Sequence, residues 1–453
     1  MPGHHAAPSA ATGSDGSRRP RGVPVIDRLP GSRPEAPNDL ETEQRSRRRR
    51  AGASPKAGPS ATAGPHPFLG NKRESRPANS SNRSGPNAEL EARRVRRQRR
   101  YALREVSWEH SSIRRGRMCG RVRARRAGGA DQVPEIRAIE GDGCYWAGVA
   151  RCGSVWACPV CSPKIRHERS LEVEAGMHAW LAAGNSIVFL TLTMPHDFGE
   201  SCEALMDTIG KSFSAVFSGR PYKRDRDRFG IVHHFRAWDA THGDNGWHPH
   251  IHAALFIQGH LDQARLGELE DSLFVRWAGS VTARGHRRPT KEHGIHLEEA
   301  RQAHALAGYL LKVRGEETGA SLAMELTRGD LKRGRGRAPF EILQGFKDTG
   351  DESDLELFHE WEKATKGKHF SRWSDGAREA LRLDELEDQD LVEKEVGGIT
   401  IYRPTPEEWH ALTATPGGLC RALLIAERGG GQAVASYAAG LRKRWRGQRA
   451  RAA

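Results

Sequence analysis

Hydrophobic and polar positions alternate most clearly in Trp247-His248-Pro249-His250-Ile251-His252-Ala253-Ala254-Leu255-Phe256. A period of two is the side-chain period of a β-strand, so the pattern predicts a strand with His248, His250 and His252 on one face. The apolar run that follows anchors it in a core. Upstream, Gly230-Ile231-Val232-His233-His234-Phe235-Arg236-Ala237-Trp238-Asp239-Ala240-Thr241 reads as a second strand, and Gly243-Asp244-Asn245-Gly246 supplies the turn that makes the two a hairpin. Elsewhere the pattern predicts a helix over 163–181, a strand over 186–193 and a helix over 202–217. A basic loop over 223–228 follows, then an amphipathic helix over 261–281, a short strand at 295–297, and a helical stretch from 298 through Val313. Residues 351–395 are acidic and helical in pattern, with Trp361 and Trp373 as core anchors. Residues 397–404 read as strand or turn, 407–427 as helix, and a basic end (442–451) follows Gly429-Gly430-Gly431. Strands interleaved with packed helices in this order predict an antiparallel sheet of the α+β class.

Charge changes the picture at one end. The chain has 453 residues and a net charge of +15, and +12 of that lies in residues 1–100. That segment is rich in Pro, Gly, Ser and Arg and too poor in apolar residues to offset chain entropy, so it is expected to be disordered. It reads as a DNA-binding arm held by phosphate contacts, as a solvated tail, or as the product of a start codon set too far upstream. The longest apolar runs, such as 187–192, fall far short of the roughly 20 residues a membrane span needs. With no cleavable leader pattern either, a cytoplasmic location and no membrane partner are expected.

Two clusters carry chemistry. Histidines two apart on a strand converge on one divalent ion, and the hairpin brings Asp239 across from them as a third ligand or leaves it a solvated strand-end acid. A set mixing imidazole and carboxylate suits Mn²⁺ or Mg²⁺ acting on a phosphate oxygen. Of the seven cysteines, Cys119, Cys144, Cys152, Cys158 and Cys161 lie between 119 and 161, while Cys202 and Cys420 are isolated. Cys158-Pro159-Val160-Cys161 with Cys152 and a fourth thiolate, from Cys119 or Cys144, fits a structural zinc site better than a disulfide or a redox pair. Lys164, Arg166 and Arg169 flank that knuckle, as a DNA contact requires and as a solvated helix face equally explains. Further on, Tyr309 and Lys312 share a helix face, and a phenol beside a cation is a plausible covalent nucleophile.

The order of these motifs resembles a family. The strand Val188-Phe189-Leu190-Thr191-Leu192-Thr193, then His-Pro-His-x-His, then Tyr309-Leu310-Leu311-Lys312, is similar to the HUH endonucleases, and more narrowly to rolling-circle plasmid replication initiators (Rep proteins) of the actinobacterial type. Cys152-Gly153-Ser154-Val155-Trp156-Ala157-Cys158-Pro159-Val160-Cys161, Arg337-Ala338-Pro339-Phe340-Glu341-Ile342-Leu343 and Trp361-Glu362-Lys363-Ala364-Thr365-Lys366-Gly367 extend the likeness over roughly 115–390. The resemblance implies a nicking and strand-transfer enzyme. His250 and His252, with Asp239, hold the metal. Tyr309 attacks the scissile phosphate to form a 5′-phosphotyrosine and a free 3′-hydroxyl, and Lys312 orients or neutralises the phosphate. Cys119, Cys152, Cys158 and Cys161 are the implied zinc set, with Cys144 the alternative ligand. Some relatives carry a glutamate one turn before the tyrosine to activate water at termination. Here Ala305 stands in that place, with Glu298 and Glu299 merely nearby in sequence.

The implied fold is a ferredoxin-like antiparallel sheet with packed helices. Its expected organisation is a disordered arm (1–110), a zinc-binding module (115–170), an HUH catalytic domain (171–320), a mainly helical extension (321–427) and a flexible basic tail (428–453). The implied partners are a plasmid origin, as single strand or hairpin, and the host helicase and polymerase. Two further readings stand beside this one: a related tyrosine enzyme (a relaxase or single-strand transposase), and a non-catalytic zinc-containing DNA-binding protein.

Overall fold

The computed structural model describes residues 86–125, 131–141, 143–300, 307, 336–394 and 396–452. The predicted hairpin is its centre. β4 (Ile231–Gly243) and β5 (Gly246–Ile257) pair antiparallel from Ile231↔Ile257 to Gly243↔Gly246, leaving Asp244 and Asn245 as the turn. Gly246 closes that turn at φ +81°, a left-handed conformation that suits glycine. β3 (Ser186–Leu192) pairs with the other side of β5, β6 (Ile295–Glu299) with β3, and β7 (Ser371–Trp373) with β4. The result is a five-stranded antiparallel sheet, β6-β3-β5-β4-β7, with the histidine strand in the middle.

Its faces are covered by helices whose apolar stripes were legible. α4 (Cys202–Val216) buries Leu205, Met206, Ile209, Phe213 and Val216, spaced three and four apart. Its first turn is capped by Ser201, whose side chain accepts from the Ala204 N–H. α6 (Gln263–Thr282) buries Leu266, Leu269, Leu273, Trp277 and Val281 and is capped by Asp262. The other face carries α3 (Cys161–Ala182), whose Gly176 lies against Trp373 and whose Trp180 packs edge-on to Phe256. A second sheet, β2-β1-β8, joins β1 (Glu135–Ile139) and β2 (Gly143–Ala147) to β8 (Ile399–Tyr402) far along the chain. It has its own core of Ile136, Trp146, Tyr402, Trp409 and Leu423, shared with Tyr101 and Trp108. The class is α+β with antiparallel sheets, as expected.

Several elements differ from their sequence reading, each for a tertiary reason. Residues 86–110, counted within the disordered arm, are the helix α1 (Pro86–His110), which buries Tyr101, Leu103 and Trp108 against both cores. The basic stretch 223–228 is not a loop but part of a helix, Gly219–Phe229. Its Asp225 is buried, accepting from Ser272 (2.6 Å) and paired with Arg276 of α6. Trp373 is a core anchor, but from β7 rather than from a helix. Arg337-Ala338 runs into a helix, Pro339–Thr349, after Arg337 bridges His242 and forks onto Asp354 at 2.6 and 2.7 Å. The helix expected over 407–427 is two, Pro406–Ala414 and Gly418–Ala452. The second runs on through the basic end expected as a flexible tail and bends at Gly430 (φ +67°). Among the described residues no helix is long and apolar enough to cross a membrane.

Candidate metal centre

Direct cross-strand partners share a sheet face, so the pairings Asp239↔His250, Ala237↔His252 and Thr191↔His252 put Asp239, His250, His252 and Thr191 on one face. One ligand atom from each of Asp239, His250 and His252 lies within 4.8 Å of the others. The His250 Nε2 stands 3.3 Å from the Asp239 Oδ2, close to the roughly 3 Å edge of an octahedral ion with oxygen and nitrogen ligands. The Ala240 N–H donates to the other carboxylate oxygen of Asp239 at 3.0 Å, which holds the acid in place. Thr191 Oγ1 lies 3.0 Å from His252 Nδ1, and Phe189 stacks on the same ring, so His252 is oriented from outside the cluster. The donor set and its spacing fit a divalent cation.

His248 projects from the same face but stays out of the cluster. Its Nδ1 is 2.8 Å from the Nε2 of His196, whose own Nδ1 lies 3.0 Å from the Asn245 carbonyl. Burial, then the neighbouring His250 and His196, push its pKa down to about 4, so it is neutral at physiological pH. Sequence reasoning missed Thr191 and His196. Thr191 had a signal, a hydroxyl at an alternate position of an otherwise apolar strand. His196 had none, since only the packing of its loop against the hairpin turn brings it near.

The cysteines form the second centre. Cys119 follows the short helix α2 (Arg114–Met118), Cys152 and Cys158 sit in the loop after β2, and Cys161 opens α3. All four are buried and their sulfurs lie within 4.8 Å of one another, with Sγ–Sγ distances of 3.5, 3.6 and 3.7 Å. A tetrahedron with metal–sulfur bonds of about 2.3 Å has edges of about 3.8 Å, so the site fits zinc. As thiols the four compete for protons: hydrogen bonds with Cys152, Cys158 and Cys161 hold Cys119 well below the ordinary thiol value, while contacts with Cys119, Cys152 and Cys161 push Cys158 up. A cation resolves that competition by favouring thiolate at every position. Cys144 lies in β2 in the other core, and Cys202 and Cys420 are buried thiols outside the cluster.

The basic residues flanking the knuckle are engaged within the protein. Arg169 is buried, paired with Glu172 (2.8 Å) and Asp388 (3.0 Å), and Lys164 donates to the carbonyls of Val392 and Lys394, both at 3.1 Å. The Arg166 guanidinium lies 4.3 Å above the Phe370 ring. Tyr309, Lys312 and Ala305 lie outside the described residues. Glu298 and Glu299 are on β6, paired with Phe189 and Val188.

The chain is 30% identical over 338 residues to "Protein rep" of Streptomyces lividans, a match covering 59% of this chain and 73% of that protein. The chain belongs to this actinobacterial Rep family. It is also 27% identical over 143 residues to a Streptomyces cyanogenus protein named "Neomycin resistance protein", a match that covers 26% of this chain and a third of that protein (33%). No family profile matches the chain, and no solved structure matches it.

Proposed function

We propose that this Rep-family chain initiates rolling-circle replication of a plasmid by nicking one DNA strand at the origin. The observation that carries the reading is the convergence of Asp239, His250 and His252 on the central strands of the sheet, in a chain related to a Rep protein. In this reading the sheet is of the HUH type. A Mn²⁺ or Mg²⁺ ion held by the three residues supplies Lewis-acid polarisation of the scissile phosphate. The chain's own part is positioning: the Thr191 contact fixes the His252 ring, and the Ala240 N–H fixes the Asp239 carboxylate. The Tyr309 oxygen attacks phosphorus as the P–O3′ bond breaks. The phenol loses its proton, the departing 3′ oxygen gains one, and the 5′ phosphate remains on the tyrosine. Lys312 neutralises phosphate charge beside it. The roles of Tyr309 and Lys312 rest on their place in the sequence motif.

The free 3′-hydroxyl then serves a host polymerase, with a host helicase opening the duplex, and a second transesterification at termination joins the ends. Zinc on Cys119, Cys152, Cys158 and Cys161 braces the segment between α1 and α3. The test is incubation with single-stranded origin DNA and Mn²⁺, followed by a denaturing protein gel. A slow-migrating covalent adduct that Tyr309→Phe lacks is expected. An adduct that persists in Tyr309→Phe, or DNA binding without any adduct, overturns the reading.

A further inference from the structure

Among the described residues the sheet leaves a gap beyond Asp239. On its outer side β4 is bonded at Trp238, whose N–H donates to the Phe370 carbonyl (3.0 Å), and again at His242, which exchanges hydrogen bonds with Arg337 (2.9 and 2.7 Å). Between those two attachments, Asp239–Thr241 faces a cleft of about 300 Å³. The facing wall comes from α1 and the first two turns of α3, which contribute Arg99, Arg100 and Arg166. Glu341, Pro159 and Pro339 line part of the rest, with aromatic side chains between them: the Arg166 guanidinium carbon lies 4.3 Å from the Phe370 ring centroid, Phe340 stands half-buried at the start of the helix Pro339–Thr349, and Trp156 and Trp361 form the buried floor. The floor is rigid, because the Trp361 indole donates to the Trp156 carbonyl (3.0 Å) and the Trp156 indole to the Lys368 carbonyl (2.7 Å).

Three guanidiniums and a set of flat π surfaces, beside a carboxylate of the metal cluster, match a polyanion that carries planar rings. Single-stranded nucleic acid has that chemistry: its backbone is drawn by cations and its unstacked bases by aromatic and arginine planes. A duplex does not offer its base faces, and an acidic peptide has no use for the aromatic walls. The volume is at the small end for a ligand cleft and suits one nucleotide. We propose that this cleft binds one nucleotide of single-stranded DNA next to the scissile phosphate, its base against Phe340 and the Arg166–Phe370 pair and its phosphate against Arg99 and Arg100. This rests on the nicking reading, which puts the scissile phosphate at Asp239.

The test uses the full chain without added Mn²⁺ and reads the fluorescence anisotropy of a labelled oligothymidylate, a base-free (abasic) oligonucleotide of equal length, and a duplex. Arg99→Glu and Phe340→Ala are measured beside the wild type, with zinc content and melting temperature as fold controls. Each variant is expected to weaken oligothymidylate binding by roughly tenfold. Phe340→Ala should leave the abasic strand unaffected, whereas Arg99→Glu weakens both and lowers the salt slope by about one. In the nicking assay both should raise KM more than they lower kcat. Unchanged oligothymidylate binding in Arg99→Glu, with a wild type that still forms its adduct, overturns the cleft and leaves the nicking reading standing. Weakened binding in both variants, with no adduct from the wild type, supports the cleft and overturns the nicking reading. Losses confined to the duplex overturn the cleft.

Discussion

At the scale of single residues, the site depends on contacts one step removed from the ligands. His252 is held by Thr191, whose hydroxyl meets the ring at Nδ1 (3.0 Å). Thr191→Val keeps the shape and removes the hydroxyl, and should weaken metal binding and metal-dependent nicking by roughly tenfold while leaving the melting temperature close to wild type. Titration of Mn²⁺ against nicking rate measures this, and an unchanged Mn²⁺ midpoint would remove Thr191 from the site. Replacing both His250 and His252 by alanine should abolish nicking and leave zinc bound, since the cysteine cluster shares no ligand with the histidine cluster. Metal analysis beside the gel separates the two losses. The histidines were legible because strand periodicity alone puts alternate residues on one face. That His248 turns to His196 instead of joining the ligands was not, because the partner comes from a loop 52 residues away.

At the scale of elements, helices with a clean apolar stripe, α4 and α6, stand within two residues of their expected bounds. Elements held by distant partners were misread. Gly219–Phe229 has a buried acid answered by Arg276 on another helix, and its own sequence reads only as a run of charge. The cysteine knuckle lies between these cases: its spacing announced a metal, while the fourth ligand came from the family resemblance. Cys158→Ser with Cys161→Ser should lose bound zinc and lower the melting temperature together. A double variant that keeps its melting temperature while free of zinc would show that the cluster does not brace the fold. The bend in the last helix makes a sharper case. A side chain on Gly431 would be driven into the Ile401 carbonyl of β8, so Gly431→Ala should cost about 1–3 kcal/mol in chemical denaturation.

At the scale of the whole molecule, the ends of the described chain hold each other. Glu427, in the last helix, accepts from Arg97 at 2.6 and 2.8 Å, from Arg94 at 2.9 Å and from the Cys144 N–H of β2 at 3.0 Å. Burial alone would raise its pKa, but the hydrogen bonds from Arg97, Cys144 and Arg94 outweigh it and hold the carboxyl at about 2, against an ordinary 4.5. The folded state therefore favours the ionised form. The clamp's contribution is complete above about pH 4.5 and is lost as the pH falls through 4.5 towards 2. Melting temperature followed from pH 6 to pH 2 should drop over that window in the wild type and drop less in Glu427→Gln, which starts lower at neutral pH by about 3 kcal/mol of stability. Equal slopes would place the acid sensitivity elsewhere.

The sequence by itself determined what repeats locally. Alternation along β5 set the histidine face, the Asp244-Asn245 turn set the hairpin register, three-and-four spacing set α4 and α6, and the Cys-x-x-Cys knuckle set half of the buried cysteine cluster. These features need only a residue's neighbours, because strand and helix geometry project side chains at fixed periods. The tertiary structure alone decided what depends on distant segments meeting. It brought Cys119 to Cys161, packed α1 against the far end of the chain through Glu427, and turned a run of charge into a helix around one buried aspartate. It also opened the arginine-lined cleft beside Asp239. Each of these is a contact between residues far apart in sequence, whose free energy comes from burial and pairing that no local window contains.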